Sequence, residues 1–298
     1  MQSFEYQKVY TLQEALDAAS ASKGAAAFLA GGTDLLVQIK EGKKQPQSVI
    51  DVKGVEELGE LTLSRDEISI GALNSIRTLE TSRPVLEKVP LLAQAAGKLG
   101  SVQIRQRATI GGNLCNASPS ADMAPALLVL EAQAEIYGRA GLRVVDLENF
   151  FQGPGTTVLG DHEILTRLRI PLNRGRRGSV YCKLSTRKAM DLAFVGVAVL
   201  IEFDGDDRIS KARIALGAVA PTPIRVPSVE KQLGGRILSL EVARESGELA
   251  AQSCKPISDL RASANYRREM VRELCQQGLF AAYRQATLQR EGKDETAD

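Results

Sequence analysis

Apolar residues recur along the chain in short, interrupted blocks, and the spacing inside each block separates helices from strands. Residues 11–19 open T-L-Q-E, with Glu14 three places after Thr11 and alanines and leucines at helical spacing behind them, which predicts a capped helix. The run 25–30 ends at Gly31-Gly32 and predicts a buried strand delivered into a tight loop. A short amphipathic element over 35–40 and a second buried strand over 48–52 follow. The order is strand, helix, strand, loop, helix, strand, that of a small α+β unit.

The pattern then changes. A hairpin is predicted between 61–63 and 68–70, turning through 64–67. Helical spacing covers 75–81 and 90–99, and a third helix over 120–130 follows Gly111-Gly112, with Pro125 in its early turns. Strands over 134–137 and 142–145 turn through 138–141, and a last strand over 163–170 stops at Pro171. Residues 173–179, N-R-G-R-R-G-S, have no periodicity and read as a linker. Beyond it, 179–184, 192–203 and 209–219 predict a three-stranded antiparallel sheet, followed by helices over 239–253 and 264–289. Residues 290–298 are charged and lack large apolar groups, so a disordered tail is expected. No internal repeat is visible.

Composition narrows the chemistry. A chain of 298 residues, 44% hydrophobic and 25% charged, fits two or three compact domains. Its 38 basic and 36 acidic side chains nearly balance at +2, which argues against a nucleic-acid partner. The only histidine is His162, read as a surface turn residue. Cys115, Cys182, Cys254 and Cys275 are too far apart for a disulfide framework, a zinc ribbon or an iron–sulfur run, so no metal site is expected. The N-terminus has no secretory pattern, and the longest apolar run, 192–203, is broken by Glu202 and too short to span a bilayer. A reducing cytoplasm is the expected compartment. With so few acid–base and metal-binding groups, chemistry here requires a bound cofactor, and no catalytic residue is assigned.

Two glycine loops supply the candidate site. The first is Leu29-Ala30-Gly31-Gly32-Thr33-Asp34-Leu35-Leu36, where backbone N–H groups can approach an anion unhindered and Thr33 adds a hydroxyl. It is neither a Walker loop nor a Rossmann fingerprint, which removes the two commonest phosphate loops. The second, 108–122, contains Thr109-Ile110-Gly111-Gly112-Asn113 and then Asn116, Ser118 and Ser120, a dense set of short hydrogen-bonding groups. Asp122 closes it, placed either to cap the following helix or to contact a sugar or ribityl hydroxyl. Two such loops predict a large nucleotide-like cofactor whose pyrophosphate is gripped between two subdomains. Cys115 is read as a buried inert thiol, and Arg105 and Arg107 either balance phosphate charge or make ordinary ion pairs.

At these residues the chain resembles the FAD-binding medium subunits of the molybdenum hydroxylases, the family of xanthine dehydrogenase and carbon monoxide dehydrogenase. The matching pieces are L-A-G-G-T-D at 29–34, Q-I-R-Q-R-A-T-I-G-G-N at 103–113, E-I-L-T-R-L-R-I-P at 163–171, K-L-S-T-R-K-A-M-D at 183–191 and A-P-T-P-I-R at 220–225, in family order. The resemblance implies an α+β fold: a two-subdomain FAD-binding domain of the vanillyl-alcohol oxidase type over 1–55 and 56–175, then an α+β C-terminal domain over 176–289. It implies that the two loops cradle the FAD pyrophosphate, that Asp122 holds the sugar or ribityl hydroxyls, that Leu165 packs near the adenine, and that Lys183 sits near the flavin ring. Residues 185–191 would either border the flavin edge or form a plain connection.

The activity implied is electron transfer. A molybdenum cofactor and [2Fe-2S] clusters in partner subunits oxidise the substrate, and FAD in this chain passes the electrons to NAD or another acceptor. The G-G-T-D form of the first loop and the N-L-C-N-A-S-P-S-A-D run point to the xanthine dehydrogenase-like branch. Carbon monoxide, aldehyde or aza-aromatic dehydrogenases are the alternatives within the family, and a stand-alone flavin oxidoreductase is the alternative outside it.

Overall fold

The computed structural model describes residues 3–22, 26–173 and 175–294, the last six of these as backbone only. Ala25 and residues 295–298 of the expected tail therefore lie outside the described residues.

The N-terminal unit is β1 (Glu5–Lys8), α1 (Leu12–Ala21), β2 (Ala26–Leu29), α2 (Leu35–Lys40) and β3 (Ser48–Asp51). The sheet is parallel, in the order β1-β3-β2, and all four residues of the central strand are buried. The predicted cap is present: Thr11 Oγ1 accepts from the Glu14 N–H at 3.1 Å. The Glu14 carboxylate reaches back to the Tyr10 N–H at 2.8 Å, one residue beyond the usual capping-box partner.

The middle unit begins with the hairpin β4 (Leu61–Leu63) and β5 (Glu67–Gly71). Six helices follow: α3 (Ile76–Thr81), α4 (Arg83–Lys88), α5 (Pro90–Gly97), α6 (Val102–Arg107), α7 (Ile110–Cys115) and α8 (Met123–Val129). The strands β6 (Gln133–Gly138), β7 (Gly141–Asp146), β8 (Phe151–Gly153), β9 (Thr156–Thr157) and β10 (Ile164–Pro171) complete it. β4-β5-β10-β6-β7 form one antiparallel sheet, and β8-β9 a small ribbon. β10 carries a bulge between Leu165 and Arg167, which frees Thr166 to bond its hydroxyl to the Glu135 carbonyl at 3.0 Å. Two corrections arise here. The second glycine loop is not open chain but the helix α7, and the expected helix over 120–130 begins only at Met123, leaving Asp122 as the residue before it.

The C-terminal unit is β11 (Arg177–Leu184), β12 (Val195–Phe203), β13 (Ile209–Gly217), β14 (Ile224–Arg225), α9 (Pro227–Leu233), α10 (Leu240–Gln252) and α11 (Ala264–Asp294). Its antiparallel sheet has a fourth, two-residue strand beyond the three expected, in the order β11-β12-β13-β14. The expected linker is shorter than 173–179, because β11 is already paired with β12 at Arg177. α11 carries the helix past 289 to Asp294, so the stretch expected to be disordered continues as helix that far.

This sheet is covered on both faces, which explains why β12 is apolar at every position from Val195 to Ile201. Val195, Val197, Val199 and Ile201 pack with residues of α10 and α11, including Ala250 and Leu279. The alternate residues Ala198 and Leu200, with Tyr181 and Ala215, join the core of the middle unit beside α8. At the edge of that seam Glu131 takes Arg213 Nη2 at 2.7 Å and Lys211 Nζ at 2.6 Å. Burial pushes the Glu131 carboxyl up, but the two cations more than offset it and hold the group below its usual 4.5.

A carboxyl whose pKa is lowered by folding contributes stability above its unfolded pKa and loses it as pH falls through the folded value. Glu131→Gln is therefore expected to destabilise the chain by about 1 kcal/mol at neutral pH, with the deficit shrinking in acid as the wild-type carboxylate is protonated. Urea denaturation of both proteins at pH 7 and pH 4 checks this; a deficit that does not shrink in acid would contradict the ion-pair account.

Candidate functional site

A cavity of about 780 Å3 opens between the N-terminal and middle units, and residues 190–192 of the C-terminal unit form part of its wall. Its size is that of a site for a large organic ligand. Both glycine loops meet in it, and they meet by direct contact. A Cβ added at Gly31 would lie 2.0 Å from the Arg107 carbonyl oxygen, so the first loop rests on the backbone that leads into the second. Gly32 has φ of +77°, a conformation that favours glycine.

The two loops do different work. In the first, the N–H groups of Gly31, Gly32, Thr33 and Asp34 donate to no carbonyl among the described residues, while the chain turns into α2. Asp34 precedes that helix without capping it, so its carboxylate stays at the cavity wall. Burial pushes the Asp34 carboxyl up, partly offset by a hydrogen bond from Thr33 and by the nearby Lys44 ammonium.

In the second loop the amides are already committed. Ile110 N–H bonds the Asn74 carbonyl at 3.0 Å, Gly111 N–H the Ala72 carbonyl at 2.9 Å, and Gly112 N–H the Thr109 hydroxyl at 3.1 Å. A Cβ at Gly111 would stand 2.6 Å from that of Ala72, so glycine there permits close packing. The free group in this loop is the side chain of Asn113. It lines the cavity, and its Oδ1 is buried with no hydrogen-bond partner among the described residues. Gln38 ties the loops together across the site, donating to Asn116 Oδ1 at 2.9 Å.

Behind this wall lies a charged cluster. Asp122 Oδ1 accepts from the Tyr181 hydroxyl at 2.8 Å, and Oδ2 from Lys183 Nζ at 2.8 Å. Lys183 Nζ also bonds the Lys98 carbonyl at 3.0 Å, while Lys98 Nζ donates to the Tyr181 carbonyl. Burial pushes Asp122 above its ordinary value, with Lys183 and the Tyr181 hydroxyl acting against it. Burial together with the neighbouring Lys183 holds Lys98 below its own ordinary value, although Cys182 and Asp122 act against this.

Most of the sequence-predicted residues line the cavity: Ala30 to Leu35 of the first loop, Thr109, Gly111, Gly112 and Asn113 of the second, and Asp122 and Leu165. Leu29 and Ile110 instead point into hydrophobic cores, and Leu36 is exposed. Lys183 stands behind Asp122 rather than at the cavity surface. Of the stretch 185–191, Met190 and Asp191 do line the cavity, with Leu192 beside them.

Arg105 is buried and gives a two-pronged ion pair to Glu80 at 2.8 and 3.1 Å, so it holds helices rather than phosphate. Burial pushes the Cys115 thiol up to about 12, so it is a protonated thiol at neutral pH. His162 lies in a turn, as expected, and is half-buried there, its Nδ1 without a hydrogen-bond partner among the described residues. Lys98 and Tyr181 were missed by sequence reasoning. For Tyr181 a signal existed: it lies two residues before Lys183 on a strand, hence on the same face.

Comparison with known proteins places the same geometry in a known family. Residues 2–173 match the family model described as the FAD binding domain in molybdopterin dehydrogenase. Residues 180–282 match the CO dehydrogenase flavoprotein C-terminal domain. The chain is 32% identical to the xanthine dehydrogenase FAD-binding subunit of Escherichia coli O157:H7, over 90% of this chain and 92% of that one. It is 33% identical to the glyceraldehyde dehydrogenase medium chain of Sulfolobus acidocaldarius, over 91% and 95%. Among solved structures, a chain of the carbon monoxide dehydrogenase of Hydrogenophaga pseudoflava superposes with a TM-score of 0.93 at 32% identity, covering 95% of this chain and 98% of that one.

Proposed function

Because the chain belongs to the family of FAD-binding medium subunits of the molybdenum hydroxylases, we propose that it is the electron-transfer subunit of a xanthine dehydrogenase-like complex. The observation that carries this reading is the pairing of uncommitted amides at Gly31 to Asp34 with the unpartnered Asn113 Oδ1 across one cavity. These groups suit a pyrophosphate on one side and polar hydroxyls on the other, so the residues present fit FAD. Bound there, FAD supplies two-electron exchange with a soluble acceptor and one-electron exchange with iron–sulfur centres.

The chain's own residues bind and orient. The first-loop amides and Thr33 hold the pyrophosphate, Gly111 and Gly112 let the second loop close on it, and Asn113 reaches the adjoining polar atoms. Asp122 accepts from the sugar or ribityl hydroxyls, and Leu165, turned inward beside the β10 bulge, gives an apolar wall for the adenine. Lys183 acts through Asp122, keeping a cation close to the site without entering it.

Molybdenum and iron–sulfur groups belong to partner subunits in this family, and among the described residues no cluster of three or more His, Cys, Asp or Glu gathers here. A small iron–sulfur subunit and a large molybdenum subunit are the proposed partners, and NAD the proposed acceptor. No helix among the described residues is long and apolar enough to cross a membrane, and the proposed compartment remains the cytoplasm. Relatives are named for glyceraldehyde, carbon monoxide and nicotine, so likeness to this subunit does not by itself fix the substrate.

The test is a visible absorption spectrum of the purified chain before and after anaerobic NADH. A flavin band at one per chain that bleaches with NADH is expected. Flavin that ignores NADH would replace the nicotinamide acceptor by a quinone, ferredoxin or oxygen, and absence of flavin after added FAD would sink the reading.

A further inference from the structure

The C-terminal sheet is hollowed where it meets the cavity wall. Lys183, Gly196 and Gly217 lie in one row across β11, β12 and β13. A Cβ at Gly217 would stand 2.9 Å from Pro125 Cγ, and a Cβ at Gly196 would stand 2.9 Å from the Tyr181 hydroxyl. The two glycines therefore make a recess in the middle of a sheet, a position where glycine otherwise weakens packing. The start of α8 sits in that recess, and the Tyr181 ring leans along the strand over Gly196, only 1% exposed.

The recess brings two β11 donors against one carboxylate. Tyr181 and Lys183 each occupy one oxygen of Asp122 from the sheet side, both at 2.8 Å. A carboxylate oxygen has two lone pairs, so each oxygen keeps one for another donor. Asp122 also lines the cavity, where such donors would come from the ligand. Two ammonium groups hold the arrangement from behind, because Lys98 Nζ donates to the Tyr181 carbonyl and Lys183 Nζ to the Lys98 carbonyl.

We propose that Tyr181 is a positioning residue for the cofactor: with Lys183 it fixes the Asp122 carboxylate so that its remaining lone pairs accept cofactor hydroxyls, which makes cofactor affinity depend on the C-terminal sheet. The inference rests on the reading that this cavity holds FAD. It assigns a binding role to a side chain that never reaches the cavity, and it gives the paired glycines a purpose. The groups acting on the Asp122 charge are Lys183 and Tyr181 from β11 and Lys98 at the end of α5. Removing the Tyr181 hydroxyl takes away a donor that favours the ionised form, so protonation of Asp122 moves to higher pH.

The full-length apoprotein is titrated with FAD, read by quenching of flavin fluorescence, between pH 5 and pH 9. Tyr181→Phe keeps the ring and is expected to weaken binding about 3- to 30-fold. The acid limb of its affinity profile shifts to higher pH, and adding it to Asp122→Asn brings little further loss. Gly196→Ala, which drives a methyl against the hydroxyl, is expected to reproduce the weakening with Tyr181 intact. Unchanged affinity in Tyr181→Phe overturns the inference. So does an equal loss with and without Asp122 and an unmoved acid limb, since Tyr181 would then only tie two units together. Wild-type protein that takes up no FAD would overturn the flavin reading itself, a result distinct from an indifferent Tyr181→Phe beside a flavin-loaded wild type.

Discussion

Gly31→Ala is expected to strip the protein of FAD. The added methyl would sit 2.0 Å from the Arg107 carbonyl oxygen and 2.8 Å from its carbon, which are backbone atoms that no rotamer change can move. Relief requires the two loops to part by roughly an ångström, and overpacking of that kind costs about 1–3 kcal/mol or more. The displaced atoms lead into the wall of the proposed cofactor cavity, because Arg107 runs directly into Thr109 and the Asn113 loop. The expected outcome is an FAD affinity lower by about 100-fold or more, with a stability loss of about 3 kcal/mol in the apoprotein. Gly59→Ala is the control: a Cβ there meets nothing within 4 Å, and it should bind FAD like the wild type. Fluorescence titration and urea denaturation of the three proteins decide it, and wild-type affinity in Gly31→Ala would show that the loops are not wedged as described.

The contact between Gly31 and Arg107 lies beyond what a sequence can display, because it joins residues 76 positions apart whose only local mark is a missing side chain. Signals that act over a few residues were readable. Thr11 and Glu14 announced α1, Pro171 ended β10 on its last residue, and the alternation of β6 and β7 about 138–141 gave their hairpin. Two helices at the cavity, α6 and α7, were not. Val102–Arg107 is only about a turn and a half long, and Ile110–Cys115 carries two glycines, the poorest helix formers after proline. α7 forms because Thr109 caps it locally and its first N–H groups find the Asn74 and Ala72 carbonyls, partners supplied by the tertiary fold.

The same division runs through the site. Gly-Gly pairs and the short polar run to Asp122 marked the wall of the cavity, since a close approach of backbone needs glycine whatever the surroundings. Which loop gives its amides and which gives only space depended on the partners of each N–H. Lys183 shows the limit most clearly: its residue type and motif suggested a cation near the flavin, while its ion pair with Asp122 came into view only with the fold.

That carboxylate is the second position where one change should matter most. In Asp122→Ala the Lys183 ammonium, with a side chain only 8% exposed, keeps a single carbonyl partner and has Lys98 nearby. An ion pair broken inside a protein costs about 3–5 kcal/mol, because the remaining charge is left desolvated and unpaired. The Tyr181 hydroxyl, equally buried, loses its acceptor as well. Asp122→Ala is therefore expected to unfold at markedly lower urea and to bind FAD poorly.

The two losses have different causes and should separate in the double variant Asp122→Ala/Lys183→Met. With the cation replaced by an apolar side chain of similar length, most of the lost stability is expected to return, since replacing both members of a buried pair is often neutral. FAD affinity is expected to stay low, because the acceptor facing the cavity is still missing. Recovery of both together would mean that Asp122 serves the fold alone. Recovery of neither would mean that the uncompensated Lys183 charge is not the source of the instability.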